Sequence, residues 1–349
     1  MTSTFWFNKS VFLTGHTGFK GGWIAHWLSK LGAKVHGFAL DPSTTPNFYD
    51  LTYLHERLAS STMGDIRDLK ALEKAMQKAK PDIIIHMAAQ PLVLESYRNP
   101  VETFATNIMG TINVLEASRW VNSARVIINV TTDKCYENKE WLWSYRENDS
   151  LGGRDPYSAS KTCADYVAAA YSNSFLDKVG IHLATVRAGN VIGGGDWASD
   201  RLIPDFFRAA YSGNVLKIRS LNSTRPWQHV LEPLSGYLIL AEALYKKGAD
   251  YVGAWNFGSN SIDAKSVQDI LKQLCESNLK VNWSYEKSDV HEATLLKLDS
   301  SKAKVNLGWR PRWSLDTALK KAIEWYMASY EKRNMVEVTD AQINCYENT

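Results

Sequence analysis

The order of apolar runs and amphipathic segments predicts an α/β protein. Residues 1–190 read as a doubly wound parallel sheet, and residues 191–349 as a smaller mixed α/β lobe. Three observations carry this. Apolar strands alternate with helical segments in the first half, and a glycine-rich turn directly follows the first strand. After about residue 190 glycine, proline and tryptophan become frequent and the periodic segments shorten. Some of those later segments are expected to return to the sheet.

The elements follow in order. Ser10–Thr14 is a short apolar strand that stops at Gly15. Residues 20–31 carry helical periodicity, ended by Gly32, and Lys34–Leu40 reads as the second strand. Asp68–Lys78 predicts a helix. Pro81 lies beyond it, and Asp82–His86, with three consecutive isoleucines, is the third strand. Pro100–Trp120 is a long helix, Arg125–Val130 the fourth strand, Asp155–Leu176 a helix and Ile181–Val186 the fifth strand. Later helices are expected near 203–212, 233–246, 264–277 and 315–330. The polar stretch at about 335–349 is expected to be loosely held. There are no internal repeats and no low-complexity linker.

Bulk composition narrows the function. The 349 residues are 45% hydrophobic and 22% charged, with a net charge of +3 and no Lys/Arg block, so nucleic acid is not an expected partner. Thirteen tryptophans and sixteen tyrosines are expected mostly in core and interfaces, with a few lining a pocket. The cysteines Cys135, Cys163, Cys275 and Cys345 have no metal-site spacing, so no metal is expected, and their scatter fits a reducing cytoplasm. No apolar run approaches bilayer length, and no basic region precedes an apolar one at the N-terminus; a membrane is not expected as a partner.

Gly15-His16-Thr17-Gly18-Phe19-Lys20-Gly21 spaces its glycines as GxxGxxG between a strand and a helix. A plain turn also tolerates such glycines. In this context they let backbone N–H groups approach a pyrophosphate at a helix N-terminus, which points to a Rossmann-type dinucleotide site. Asp41, just past the second strand, can accept from ribose hydroxyls and repels a 2′-phosphate, which favours NAD over NADP. Its other reading, beside Pro42, is a turn. Asp65 and Ile66 contact adenine, or Asp65 caps the next helix; the sequence leaves both open. Ala88-Ala89-Gln90 at the third strand end admits close approach of a ligand. Asn107 is grouped with this end, as a buried amide needing a hydrogen-bond partner behind the fourth strand.

The chemistry concentrates in two motifs. Thr131-Thr132-Asp133-Lys134 follows the fourth strand, where open α/β sheets carry their sites. Tyr157 and Lys161 stand four residues apart, on one helix face. Together they suggest a tyrosine base removing a proton from an alcohol. Moving a phenol from about 10 to about 7 needs roughly 4 kcal/mol of preference for phenolate, which nearby cations can supply.

These motifs, in this order, resemble the extended short-chain dehydrogenase/reductase family over nearly the whole chain. Within it, Thr132-Asp133 followed by Lys134-Cys135-Tyr136 resembles the nucleotide-sugar 4,6-dehydratases. The stretches Asp133–Trp141, Arg146–Asp149 before Leu151–Tyr157, and Gly189–Trp197 are similar to the members that act on CDP-D-glucose. The resemblance implies NAD as cofactor and oxidation at C4. Loss of water across C5 and C6 follows, with hydride return to C6. The product is CDP-4-dehydro-6-deoxy-D-glucose, a precursor of the 3,6-dideoxyhexoses of bacterial surface polysaccharide. It assigns Tyr157 as the C4 base and Lys161 to the phenolate and the nicotinamide ribose. Thr132 joins the C4 proton path, and Asp133 is the acid for the C6 hydroxyl. Most relatives carry glutamate where Lys134 stands. Lys134 is then the C5 base, or a cation stabilising the enolate, or a turn residue in a salt bridge.

Two phosphates require cations. Arg201 and Arg225 are the candidates, with Asn190 near the phosphates or sugar. His229 is a structural hydrogen-bonding group or a catalyst, and Tyr136 and Ser96 touch the sugar. Cytidine follows from the resemblance alone. A nucleotide-sugar 4-epimerase is the rival on the same scaffold, and a non-catalytic dinucleotide-binding sensor the rival from another class. The resemblance also implies a homodimer or homotetramer through the helices at 100–120 and 155–176.

Overall fold

A computed structural model describes residues 3–260, 264–276, 279, 281–286 and 295–349. The first six strands are β1 (Ser10–Thr14), β2 (Lys34–Ala39), β3 (Ser60–Met63), β4 (Ile83–His86), β5 (Val126–Val130) and β6 (His182–Ala188). Short pairs follow in the second half. β7 (Val191–Ile192) pairs with β10 (Gln228–His229), β8 (Leu216–Ile218) with β13 (Trp283–Tyr285), and β9 (Thr224–Pro226) with β12 (Ala264–Ser266). β11 (Gly253–Phe257) returns to the main sheet beside β6, giving seven parallel strands in the order β11-β6-β5-β4-β1-β2-β3. The fold is thus a doubly wound, Rossmann-like α/β sheet.

Strand alternation divides the core in two. Val11, Leu13, Ile83, Ile85, Val126 and Ile128 face one helical layer, while Phe12, Ile84 and Ile127 face the other. All of these side chains are at most 1% exposed, which is why the strands read as unbroken apolar runs. The first layer holds most of the tryptophans, with Trp6, Trp23, Trp27, Trp255, Trp309 and Trp325 fully buried.

Chain order reverses between β1 and β4, and one side chain ties that junction. Thr14 Oγ1 bonds His86 Nδ1 at 2.8 Å and accepts from the N–H groups of Met87 and Ala88 at 3.0 and 3.1 Å. The ends of the two strands therefore stay parted at a fixed width, where open sheets bind ligands.

The helices start where their caps dictate. Asp155 accepts from Ser158 N, and Pro156 occupies the first turn of the helix Pro156–Tyr171 that carries Tyr157 and Lys161. The long segment expected at 100–120 is helical with one interruption. Pro100–Phe104 and Gly110–Ser118 are joined through a π-helical turn at Ala105–Met109, and a second π turn, Ser172–Leu176, extends the Tyr157 helix.

Three expectations need correction. β3 was not anticipated, because Ser60-Ser-Thr-Met63 is a polar edge strand with no apolar run. The helix expected at 264–277 begins at Val267, since Ala264–Ser266 pairs as β12 and Ser266 then forms a capping box with Asp269; residue 277 lies outside the described residues. The stretch 335–349 is not loose. Met335–Glu347 is a helix, and its Met335, Thr339, Ile343 and Tyr346 are buried at helical spacing. Tyr346 donates to the fully buried Glu232 carboxylate at 2.7 Å, and Glu232 also accepts from the Arg312 and Trp313 N–H groups. Overall polarity masked this stripe. Tyr346→Ala is therefore expected to cost about 3–5 kcal/mol, as truncation of a buried aromatic does. Urea unfolding should register it, while Asn348→Ala, an exposed change, should leave the midpoint in place.

Candidate active site

One cleft of about 640 Å³ runs along the carboxyl ends of the strands. At its floor the glycine turn meets the β4 end. Gly15 has φ +81°, and a Cβ there would sit 2.8 Å from Ala88 N; a Cβ on Gly21 would fall 1.9 Å from Gly15 O. Only glycine permits this contact. The helix Phe19–Lys30 begins at Gly18 with no side-chain cap, so its first N–H groups face the cleft without an internal acceptor. That arrangement suits a diphosphate. Thr17, Phe19, Lys20, Asp41, Asp65, Ile66, Ala88 and Ala89 line the same cleft.

Several residues grouped with the cofactor lie elsewhere. The His16 ring is fully buried against Gly37 of β2, where a Cβ would come within 2.4 Å, and it bonds Ser61 Oγ at 2.8 Å. Burial lowers its pKa to about 4, so it is a neutral staple between the turn and β3. Gln90 and Asn107 form a bracket behind the cleft. Asn107 accepts from Gln90 N at 2.8 Å and donates to Gln90 O and to Ser160 Oγ at 3.1 and 2.8 Å. The amide thereby ties the β4 end to the Tyr157 helix. Asp65 binds Arg67, which holds its carboxyl below the usual range; the next helix is capped by Asp68 instead.

The reacting groups meet at the β5 end. Thr132 donates to Asp133 Oδ1 at 3.1 Å and lies within hydrogen-bonding reach of the Tyr157 phenol. Lys134, Tyr157 and Lys161 line the cleft beside them. The Lys161 ammonium donates to Val130 O at 3.0 Å. Burial dominates each charge. It raises the Asp133 carboxyl, opposed by Lys134, Thr132 and Arg225. It raises Tyr157 to about 12, opposed by the Thr132 bond and Arg201. It lowers both Lys161 and Lys20 to about 8, and those two cations repel one another.

Toward the second half of the chain, Asn190, Arg201 and Arg225 line the cleft. Arg201 pairs with Asp196 at 2.7 Å. Asp196, given no role within the Gly189–Trp197 stretch, lines it too, as do Lys217 and Arg219, which escaped the sequence reading; the two cations flanking Ile218 were the available signal. Three substrate candidates do not reach it. Ser96 is buried and bonds its own helix at Val93 O. Tyr136 is buried, accepting from Arg187 and donating to Asn256 Oδ1, each at 2.8 Å. His229 is fully buried between Trp23 and Trp313, and burial lowers its pKa to about 3. None of the three lines the cleft.

Comparison with known proteins gives consistent matches. The family profile described as GDP-mannose 4,6 dehydratase matches residues 12–322. A CDP-glucose 4,6-dehydratase of Salmonella typhimurium is 48% identical, covering 98% of this chain and 97% of that protein. A dTDP-glucose 4,6-dehydratase of Shigella flexneri is 26% identical over 76% of this chain and 78% of its own. Among solved structures, a dTDP-glucose 4,6-dehydratase of Bacillus anthracis in complex with NAD aligns with a TM-score of 0.77 at 22% identity, covering 94% and 99% of the two chains. A UDP-glucose 4-epimerase of Thermotoga maritima aligns at 0.80 and 22%, covering 92% and 99%. These last two share the fold.

The lowered pKa of Lys20 has a measurable consequence. Its folded value of about 8 lies below its ordinary 10.5, so between those values the unfolded chain holds a proton that the folded chain has shed. Stability should therefore rise with pH through that window on account of this group. Lys20→Met should be more stabilising, relative to the native chain, at about pH 7 than at about pH 9.5, by about 1–2 kcal/mol in urea unfolding.

Proposed function

The chain belongs to the GDP-mannose 4,6-dehydratase family, and we propose that it converts CDP-D-glucose to CDP-4-dehydro-6-deoxy-D-glucose, acting as an NAD-dependent hydro-lyase. The observation that carries dehydration, rather than simple alcohol oxidation, is Asp133. Its buried carboxyl, with a raised pKa, shares one cleft with Tyr157 and Lys161. An epimerase needs no acid to expel a C6 hydroxyl. The choice of cytidine is supported by the Salmonella relative.

The turn of glycines, the uncapped helix start and Asp41 fit NAD: N–H groups for the diphosphate, and a carboxylate at the rim for the adenosine ribose. NAD⁺, held by the glycine turn and Asp41, would supply the hydride chemistry and a positive charge to the cleft. Tyr157 takes the C4 hydroxyl proton through or beside the Thr132 hydroxyl. Its starting value of about 12 means that reaching about 7 takes roughly 7 kcal/mol of local preference for phenolate. Lys161 and Arg201 contribute positive charge toward that. Asp133 is kept protonated by burial and gives its proton to the leaving C6 hydroxyl. The C4 ketone acidifies C5–H, and Lys134, which lines the cleft beside Asp133, is the group that takes that proton. Arg201 and Arg225 face the diphosphate, and Asn190 the sugar end.

Wider assignments belong to the same proposal. Residues 1–190 hold the cofactor, and 191–349 mainly the nucleotide-sugar. The protein works in the cytoplasm, and its product supplies the dideoxyhexoses of surface polysaccharide such as lipopolysaccharide O-antigen. A homodimer or homotetramer is supported by apolar side chains left exposed on the helices that flank the cleft, Val101, Met109 and Tyr166 among them.

Incubation with CDP-, UDP-, GDP- and dTDP-hexoses, with and without NAD⁺, tests the reading. CDP-D-glucose should yield a 4-keto sugar that absorbs in the ultraviolet in base; epimerised sugar without that absorbance would sink it. Tyr157→Phe should lower kcat about 10³-fold with binding nearly intact. Solvent deuterium exchange at C5 should vanish in both Lys134→Met and Lys134→Gln; full retention in both removes Lys134 from the base role.

A further inference from the structure

Behind the reacting groups lies a buried charge pair with no part in the chemistry above. Asp165 and Arg187 are 5% and 3% exposed. Arg187 grips Asp165 with two bonds, Nη2 to Oδ1 at 2.9 Å and Nε to Oδ2 at 3.1 Å. Such a pair is poor at stabilising a fold, because removing two ions from water offsets their attraction. Its position points to another use.

Asp165 stands one step beyond Lys161 in the series Tyr157, Lys161, Asp165, with successive members four positions apart, so all three share a helix face. Its second oxygen also accepts from Thr131 Oγ1 at 3.0 Å, at the start of the reacting loop. Arg187 continues to Tyr136 OH at 2.8 Å, at the loop's other end, and to Glu147 O at 3.2 Å. Tyr136 passes the connection to Asn256 of β11. Thr162 of the same helix binds Cys135 O at 3.0 Å. The loop that carries Thr132, Asp133 and Lys134 is thus pinned at both ends by one ion pair, and that pair is rooted on the helix that carries Tyr157.

We propose that Asp165, oriented by Arg187, is a positioning residue that supplies the counter-charge for the Lys161 ammonium and sets the Thr131–Tyr136 loop against the Tyr157 helix. This rests on the role given to Tyr157 and Lys161 above. Of the groups around Lys161, Asp165 shares its helix face and acts on it through its field rather than by a contact. From β4 comes His86, which burial and the Lys161 charge keep neutral. From the glycine-turn helix comes Lys20, a like charge. From β5 comes the Val130 carbonyl. Asp133 acts on Lys20 and Tyr157. Asp165, one helical turn along from Lys161, is an anion whose field favours the charged form of Lys161. A neutral Lys161 no longer favours phenolate at Tyr157, so losing the counter-charge removes activity first at alkaline pH.

The test is the pH profile of kcat for CDP-D-glucose, with saturating NAD⁺, in the full-length protein. Asp165→Asn should move the alkaline limb about one unit lower, so that the rate at about pH 9 falls about fivefold further than at about pH 7. Asp165→Glu should keep the native limb. Because Asp165→Asn strands a buried guanidinium and can fail to fold, Asp165→Asn with Arg187→Gln is measured beside it, and the same displacement is expected. Profiles parallel to the native one, lowered uniformly or unchanged, in whichever of these two variants folds, would reduce the pair to a structural staple and overturn the proposal. Absence of turnover by the native protein at every pH would instead overturn the functional reading, and this inference with it.

Discussion

The organisation of the molecule depends on one steric constraint, the contact between Gly15 and the start of the β4 turn at Ala88. The backbone atoms approach so closely that a Cβ has no place between them. Thr14 closes the same junction from below, joining β1 to His86 and to two N–H groups past β4. Strand order reverses here, so a crevice opens at this point of the sheet. The glycine turn then points its uncapped helix start into the crevice, and β5, one strand further on, delivers Thr132 and Asp133 to its wall. Everything the cleft can do follows from that junction holding its width.

Electrostatics in the cleft are governed by burial more than by pairing. Tyr157, Asp133 and Lys161 are buried from water and Lys20 is partly so, and each is pushed toward its neutral form. For Asp133 that is the form an acid needs. For Tyr157 it is the wrong form, which is why positive charge must gather around the phenol. Lys161, Arg201 and Lys20 converge on the same small volume, and their mutual repulsion is tolerated only because Asp196 and Asp165 stand behind two of them. The site is a set of charges held away from their preferred solvation by a rigid frame.

Much of this was legible in the sequence. The apolar runs of β1, β4 and β5 are buried on both faces, so composition alone marked them. The glycine turn, Thr132-Asp133 and Tyr157-x-x-x-Lys161 are local in sequence, and the structure brings them into one cleft. Illegible parts depend on three-dimensional neighbours. His16 sits among cleft residues in sequence, yet it points the other way because Gly37 leaves a hollow for its ring. Tyr136 looked like a contact to a sugar and His229 like a structural group or a catalyst, and each is enclosed by partners from distant segments, Asn256 for one and Trp313 for the other. The helix Met335–Glu347 was hidden because its buried stripe is diluted by polar residues on the other faces. Asp165 and Arg187 carried no motif, since their meaning lies in a pairing between a helix and a strand.

The π turn at Ala105–Met109 bears on how this chain tolerates changes of length. A turn closed over five residues is equivalent to one residue inserted into an ordinary helix, and one residue is worth about 100° of rotation. Asn107 sits inside that turn, and it reaches Gln90 and Ser160 from there. The widened turn absorbs that rotation, so deleting one of its residues would restore a regular helix, leave the flanking segments facing as they do, and move the Asn107 position itself out of place. The bracket between the β4 end and the Tyr157 helix would then come apart, although no group that touches a ligand had changed. The spacing between Phe104 and Gly110 is thus as much a part of the site as the identity of any residue in it.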